Sequence, residues 1–470
     1  MGIAVDVYSF MSLIGPILGL LGMLMVLKKK FHQAIMFLMG GAAIGLVASF
    51  SGLLLHLSGD MKVHDLLSCL ILLVSLNIQK FSLDYMKGDS AIYRYYILLG
   101  LLTLSANIMV LVPSDALFAF FWSLNSILLS ILMIHKSQWK AAKYSGVYTL
   151  LTLLLGSLFL VLARCWPQAI FAKYLLVLAA MCQSAIWPFH RWLLSSLNSP
   201  TPVSALMHAG IVNGGGILLV RYHDWLVQDD GVMYFIFIMG LITALSAGYW
   251  KLIQVDIKRM LANSTMAQMG FMLMQCGLGL FPAALAHICW HGLFKAYLFL
   301  NAGTAVEGKI KPKVVSHHLK DKLGMIGATL LGLWCFVQTS HIQVNLMNTE
   351  GLLLVMVVIT LWQLSKSLVN THHRLLMLLL VSLGSALYGE SVWLIEGIFS
   401  QGRSLALSLK PLFVIGIGLL VCIWFFLNGS WFRGFKNSRW GLKIYMWGIN
   451  ASQPFAKTMT SVRSTYQYEE

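Results

Sequence analysis

The chain has 470 residues, of which 58% are hydrophobic and 11% charged, and its formal net charge is +16. A soluble protein of this size has about a quarter of its residues charged, so this chain cannot clothe a water-facing surface. A mean hydropathy of +0.78 points to lipid as the main solvent. The surplus of Lys and Arg would suggest a nucleic-acid partner in a soluble chain. In a membrane chain it is ascribed to basic loops on one side of the bilayer, and no nucleic-acid partner is expected.

A spanning helix needs roughly 20 apolar residues. Helices are predicted in chain order near 7–27, 33–57, 65–81, 94–112, 115–134, 144–164, 171–187 and 204–221. They continue near 232–250, 257–280, 282–303, 322–338, 350–368, 373–388 and 411–428. The fold class is therefore an all-α integral membrane protein with about 14–15 transmembrane helices. The first helix is followed by Lys28-Lys29-Lys30. A cleaved leader has its positive charge in front, so 7–27 is read as a retained helix.

If that triple lysine is cytoplasmic, the N-terminus lies outside. The basic loops at Lys87, at Lys136/Lys140/Lys143, at Lys251/Lys258/Arg259 and from Lys309 to Lys322 then all fall inside. Asp60, Asp65, Asp224, Asp229, Asp230 and Glu350 fall outside. The tail from Trp431 is cytoplasmic, with a rest on anionic lipid and a solvated tail both open. The divisions read from this pattern are N-terminal helices over 1–112, a translocation core over 113–307, C-terminal helices over 308–428 and a basic, aromatic tail over 429–470. The seven cysteines are scattered without a CxxC pair. Neither a disulfide framework nor a structural metal site is expected.

Three clusters carry chemistry. The first is Trp187-Pro188-Phe189-His190-Arg191-Trp192, where Pro188 should break an apolar helix and His190 and Arg191 must face protein or water. The second runs from Pro200 and Pro202 through His208 to Gly214-Gly215-Gly216. Its prolines suit a turn into a helix, and its glycines allow either close backbone approach or unwinding beside a water-filled cavity. Broken helices at this depth are a common frame for ion pathways.

The third cluster is His287, His291 and Lys295, spaced i, i+4 and i+8 on one helix face. A single buried His is an ordinary packing residue. Three ionisable groups on one stripe form a ladder along which protons can pass through waters. Zinc ligation is the rival for a His pair at this spacing, and Lys295 argues against it by repelling a cation. Asp256 and Lys258, ahead of Ser264, Thr265 and Gln268, suit either a helix start with membrane-surface anchors or part of the pathway. Glu307 is read as a rim charge or a proton access point; Glu390 and Glu396 are unassigned.

Four stretches resemble the antiporter-like membrane subunits of respiratory complex I and multisubunit Na+/H+ antiporters. They are Pro188-Phe189-His190-x-Trp192, Pro200-Thr201-Pro202-Val203-Ser204-Ala205-Leu206-Met207-His208, Asp256-Ile257-Lys258-Arg259-x-Leu261-Ala262-x-Ser264-Thr265-x-x-Gln268-x-Gly270 and His287-x-x-x-His291-x-x-x-Lys295-Ala296. An earlier fragment, Ser82-x-x-Tyr85-Met86-x-Gly88-Asp89, is similar too. The resemblance runs from about residue 80 to 307 and implies an antiporter-like fold with discontinuous helices. Two departures stand out. No carboxylate occurs from Ala116 to Met133, where Ser123 follows Trp122, and Gln183 holds the position of the family's lysine. A Glu–Lys pair sets proton affinity in pumping members.

Within the family, the text from His208 to Gly216 and the ending around Asn450 to Tyr468 are most similar to the DabB branch of inorganic carbon transporters. That resemblance implies a proton-conducting (or Na+-conducting) subunit in a bacterial inner membrane. It would energise CO2 or bicarbonate uptake with a peripheral zinc-containing DabA partner that carries the catalysis. It implies no cofactor or enzymatic site on this chain, which also lacks a phosphate loop or nucleophile triad. The pathway residues it implies are His208, His287, His291, Lys295, Asp256, Lys258, Gln183, His190 and Glu307. A proton-pumping subunit of a complex I-like or multisubunit cation antiporter assembly is the alternative.

Overall fold

The computed structural model describes residues 2–56, 63–302, 319–342, 348–368, 374–400, 410–428 and 438–459. Its regular structure is α-helical. The first six helices are α1 (Gly2–Leu27), α2 (Phe31–His56), α3 (Val63–Tyr85), α4 (Ile92–Leu111), α5 (Asp115–Met133) and α6 (Lys140–Cys165). Two discontinuous crossings follow. The first joins α7 (Ile170–Gln183) to a short α8 (Arg191–Leu194), and the second joins α9 (Thr201–Ala209) to α10 (Gly214–Arg221).

After the single-turn α11 (His223–Leu226) come α12 (Asp230–Ile253), α13 (Ile257–Gly277) and α14 (Phe281–Leu300). The C-terminal part contains α15 (Leu319–Ser340), α16 (Thr349–Leu368), α17 (Arg374–Ser400) and α18 (Pro411–Asn428), then α19 (Arg439–Ala451).

Eleven of these helices or helix pairs are long and apolar enough to cross a membrane, and three shorter apolar helices approach that length. Leu151, Ile170, Phe120, Leu330 and Ile415 are each more than half exposed. That surface suits acyl chains and not water. Polar residues lie inside, and α13 carries buried Asn263, Ser264, Thr265 and Gln275. Its polar groups are tolerated because neighbouring helices, and not lipid, surround them. Two glycines bring α12 against α13: a Cβ at Gly240 would lie 2.7 Å from the Gly270 carbonyl oxygen. Small residues at such contacts are how membrane helices pack without a hydrophobic driving force.

Two predicted boundaries are corrected. The helix expected to end near 388 runs on to Ser400, carrying Glu390 and Glu396 within it. Gly389 sits against the Phe336 carbonyl and Ser340 backbone in α15, so it serves close packing and not termination. The helix expected over 171–187 stops at Gln183, ahead of Pro188. Ala185 adopts φ 52° and the Trp187–Pro188 peptide is cis.

Contacts between loops define the two ends of the bundle. At one end Arg164 Nη2 lies 2.6 Å from Asp115 Oδ2. There Arg221 also donates to the carbonyls of Val112 (3.0 Å) and Pro113 (2.7 Å). At the other end Asn198 Nδ2 donates to Ser145 Oγ (3.0 Å) and to the Thr458 carbonyl (2.7 Å). The C-terminal segment crosses this second end. Gln254 donates to Ser452 Oγ (2.8 Å), Arg259 to Gln453 Oε1 (3.0 Å), and Trp447 lies 6.4 Å from Trp250, ring centre to ring centre. The outer face of α19 leaves Trp440, Leu442, Met446 and Trp447 exposed.

Candidate ion-translocation site

The break in the second discontinuous crossing lies at Gly210–Asn213, a 3-10 turn between α9 and α10. Gly214, Gly215 and Gly216, for which the sequence leaves approach and unwinding both open, form the regular helical start of α10. Their role is approach. A Cβ at Gly214 would lie 2.8 Å from Gln183 Cγ, and one at Gly215 would collide with the Ala180 carbonyl and Ser184 Oγ. Pro200 is the N-cap of α9 and Pro202 its second residue, positions where a missing N–H costs nothing.

The unwound carbonyls are held by the end of α7. Gln183 Nε2 donates to the Ile211 carbonyl (3.2 Å), and Ser184 Oγ donates to that of Val212 (2.7 Å). Asn213 Nδ2 donates to the Ala209 carbonyl (2.7 Å) across the break. Buried backbone groups need such partners in lipid even more than in water. Two helices interrupted at the same depth therefore satisfy each other.

The stripe on α14 faces this break. His291 and Lys295 are buried and His287 half-buried. His291 Nδ1 lies 3.2 Å from Asn213 Oδ1, so the imidazole and the broken helix share a hydrogen bond. The rings of His287 and His291 are 6.0 Å apart, and His287 lies 5.6 Å from the Phe271 ring. Lys295 has no exposed surface; its Nζ is 3.5 Å from the Leu261 carbonyl on α13. No carboxylate lies within 4.0 Å of that ammonium among the described residues. His208 stacks on Phe299 at 4.1 Å and 9°, next to the same helix.

Polar atoms without protein partners line this region: Gln183 Oε1, His208 Nδ1, His287 Nε2, His291 Nε2 and Asn263 Oδ1. Unpartnered buried polar groups of this kind are what ordered water bridges. Of these residues, Gln183 also lines a cavity of about 50 Å³ between α3, α4, α5 and the two broken crossings, with Asn125, Asn213 and Ile288 of α14 among its other walls. Gln183, at the family's lysine position, is a neutral amide in this cavity, and no carboxylate lines it among the described residues. The cavity can relay a proton through water and cannot pin one by ion pairing.

Other predicted residues lie apart from this group. Asp256 is an exposed N-cap whose carboxylate accepts from Arg259 N (2.8 Å), and Lys258 follows it at the bundle end. His190 is buried beneath the C-terminal segment, 5.2 Å from the Trp250 ring. Glu307 lies outside the described residues. Asn213 and Asn263 belong to the site although sequence reading singled out neither. An amide inside an otherwise lipid-compatible helix was the available signal.

Comparison with known proteins agrees with this geometry. Residues 164–338 match the family described as NADH:quinone oxidoreductase/Mrp antiporter, transmembrane. The chain is 37% identical over 292 residues to the probable inorganic carbon transporter subunit DabB1 of Halothiobacillus neapolitanus, covering 55% of this chain and 52% of that one. It is 36% identical over 324 residues to the probable inorganic carbon transporter subunit DabB of Bacillus anthracis, covering 64% of this chain and 62% of that one. To NADH-ubiquinone oxidoreductase chain 5 of Lumbricus terrestris it is 33% identical, covering 51% and 44%. The chain thus spans about half to three-fifths of the length of these curated relatives. An Mrp complex from Dietzia sp. superposes with a TM-score of 0.60 at 18% identity, covering 94% of this chain and 59% of that one. That likeness establishes the antiporter-like fold. Over residues 164–338, the chain is thus similar to the NADH:quinone oxidoreductase/Mrp antiporter transmembrane family.

Proposed function

We propose that this chain is a proton-conducting membrane subunit that energises inorganic carbon uptake, with a peripheral zinc-containing DabA-type partner holding the carbon chemistry. The observation that carries this reading is the α14 stripe, whose His291 is hydrogen-bonded to Asn213 at the helix break. Imidazoles exchange protons near neutral pH. A sodium ion would need several oxygen ligands and would be repelled by Lys295, so the site favours protons over Na+. The neutral Gln183 and the carboxylate-free α5 suit a route that consumes an existing gradient. A redox-driven pump needs a charge pair to raise and lower proton affinity in turn.

The test is growth in air of a bacterium lacking carbonic anhydrase, with this chain and a candidate partner co-expressed. The intact chain should restore growth and Lys295→Ala should not, at equal membrane abundance. Growth restored equally by Lys295→Ala would sink the reading. The similarity to NADH-ubiquinone oxidoreductase chain 5 supports a second reading, a subunit of a complex I-like assembly. Copurification with quinone-reducing subunits, and not with a zinc protein, would favour it.

A further inference from the structure

The α14 stripe is not alone, and another helix carries a buried polar column. It runs along α3, which carries Asp65, Ser68, Ser75, Gln79 and Ser82 on one buried face. The spacings of 3, 7, 4 and 3 residues keep them in register with the helical turn. From Asp65 to Ser82 the helix rises about 25 Å, close to the thickness of a bilayer's hydrocarbon core. All five are at most 2% exposed.

These groups are joined to partners on α2 and α4. Near the Asp65 end, Ser49 and Ser68 hydroxyls are 2.7 Å apart, and Ser68 donates to Asn107 Oδ1 at 2.6 Å. At mid-depth, Gln79 Nε2 donates to Ser75 Oγ (3.1 Å), which lies 2.5 Å from Thr103 Oγ1. Toward the other end, Ser82 Oγ and Tyr95 Oη are 2.7 Å apart. The Tyr95 ring then meets His135 edge-on at 5.8 Å, and His135 Nε2 is 3.0 Å from Asp89 Oδ2.

This chain of bonds is interrupted between Asp65 and Ser68, Asn107 and Thr103, Gln79 and Ser82, and Tyr95 and His135, and a cavity adjoins the second of these gaps. Asn107 and Thr103, one turn apart on α4, both line a second cavity of about 40 Å³ that also reaches Gln79. Gln79 Oε1 is buried and has no protein partner, one turn from Ser82. A water there has the polar neighbours it needs. Thr103 and Ser75 also line the larger cavity that contains Gln183 and Asn213.

We propose that the hydroxyls and amides from Asp65 to the Asp89–His135 pair form a second membrane-crossing proton route, joined to the α14 stripe at Ser75–Thr103. Each hydroxyl, and each water held by the amides of Asn107 and Gln79, accepts a proton on a lone pair and releases its own to the next group, while the amides themselves keep their protons. One proton taken up at one end leaves at the other, and every intermediate group ends with the charge it began with. Helix-packing hydroxyls are common in membrane proteins. Packing alone does not require ionisable groups at both ends, or a cavity beside the Asn107–Thr103 gap.

The inference rests on the proton-conducting reading above, and the experiment separates the two. The full chain, with any subunit that copurifies, is reconstituted in liposomes, and potential-driven proton uptake is followed with a trapped pH dye. Lys295→Ala should leave a residual flux, which Thr103→Val, lacking the hydroxyl, lowers at least about tenfold. Thr103→Ser, which keeps it, should restore that residual flux and so exclude a packing effect. If Lys295→Ala abolishes flux and Thr103→Val or Ser68→Ala conducts like the intact chain, the second route is wrong and the function stands. A chain that conducts no protons overturns both.

Discussion

His135 and Asp89 show how a single contact at the membrane edge fixes a charge. Burial by itself would raise the Asp89 carboxyl. The His135 ring, the Ala91 N–H (2.8 Å from Oδ1) and the nearby charges of His135 and Lys136 outweigh it and hold the carboxyl below its usual range. A folded-state value below the unfolded one gives stability that is present above the unfolded value, about 3.9, and is lost as pH falls through the folded one. The Asp89→Asn variant should therefore unfold at a lower temperature than the intact chain at pH 7, and the gap should close below about pH 4. Thermal unfolding in detergent at both pH values measures this. An equal gap at both would mean that the carboxylate charge contributes nothing. Lys295 represents the opposite case, a buried amine whose hydrogen-bond partner among the described residues is the Leu261 carbonyl at 3.5 Å. Such a group is costly to keep in a membrane unless it works.

The two broken crossings depend on a backbone contact that only glycine permits. At Gly215 a methyl group would collide with the Ala180 carbonyl and Ser184 Oγ, of which the first is rigid backbone. Gly248 on α12 has nothing within 4 Å of the same position. Gly215→Ala should destabilise by about 1–3 kcal/mol through overpacking, whereas Gly248→Ala should gain up to about 1 kcal/mol of helix propensity. Thermal unfolding of the purified chain measures both, and comparable stability of the two variants would contradict the packing described. The sequence made the glycine run conspicuous but left open whether it unwinds or packs. The answer depends on α7, whose Gln183 and Ser184 bind the carbonyls of Ile211 and Val212 across 28 residues of chain. The His/Lys stripe was legible because a helix repeats every 3.6 residues. The α3 column follows the same repeat, yet serine and glutamine attract less notice than histidine, and their partners on α2 and α4 are set by tertiary packing alone. The length of α17 was misjudged at Gly389, where a small residue serves an interhelical contact.

At the scale of the molecule, lipid-facing helices enclose a polar interior. The apolar repeat made the helix number legible; the order of packing around the two breaks was not, since it needs contacts between distant segments. The Arg164–Asp115–Arg221 cluster ties α4, α5, α6 and α10 at one end. The half-exposed ion pairs themselves contribute little, on the order of 0–1 kcal/mol each, so the Arg221 bonds to the Val112 and Pro113 carbonyls are the firmer part of that tie. At the other end the C-terminal segment spans α6, α12 and α13 through Thr458, Ser452 and Gln453. Between these fixed ends lie the unpartnered nitrogens of His208, His287 and His291 and the amides of the central cavity. The central claim is that protons cross the membrane by way of His291 and Lys295. The direct measurement is potential-driven proton uptake by liposomes containing the full chain and its copurifying subunits, compared with the His291→Ala and Lys295→Ala double variant. The intact chain should conduct, and the double variant should lower the flux at least about tenfold; equal fluxes from the two would contradict the route.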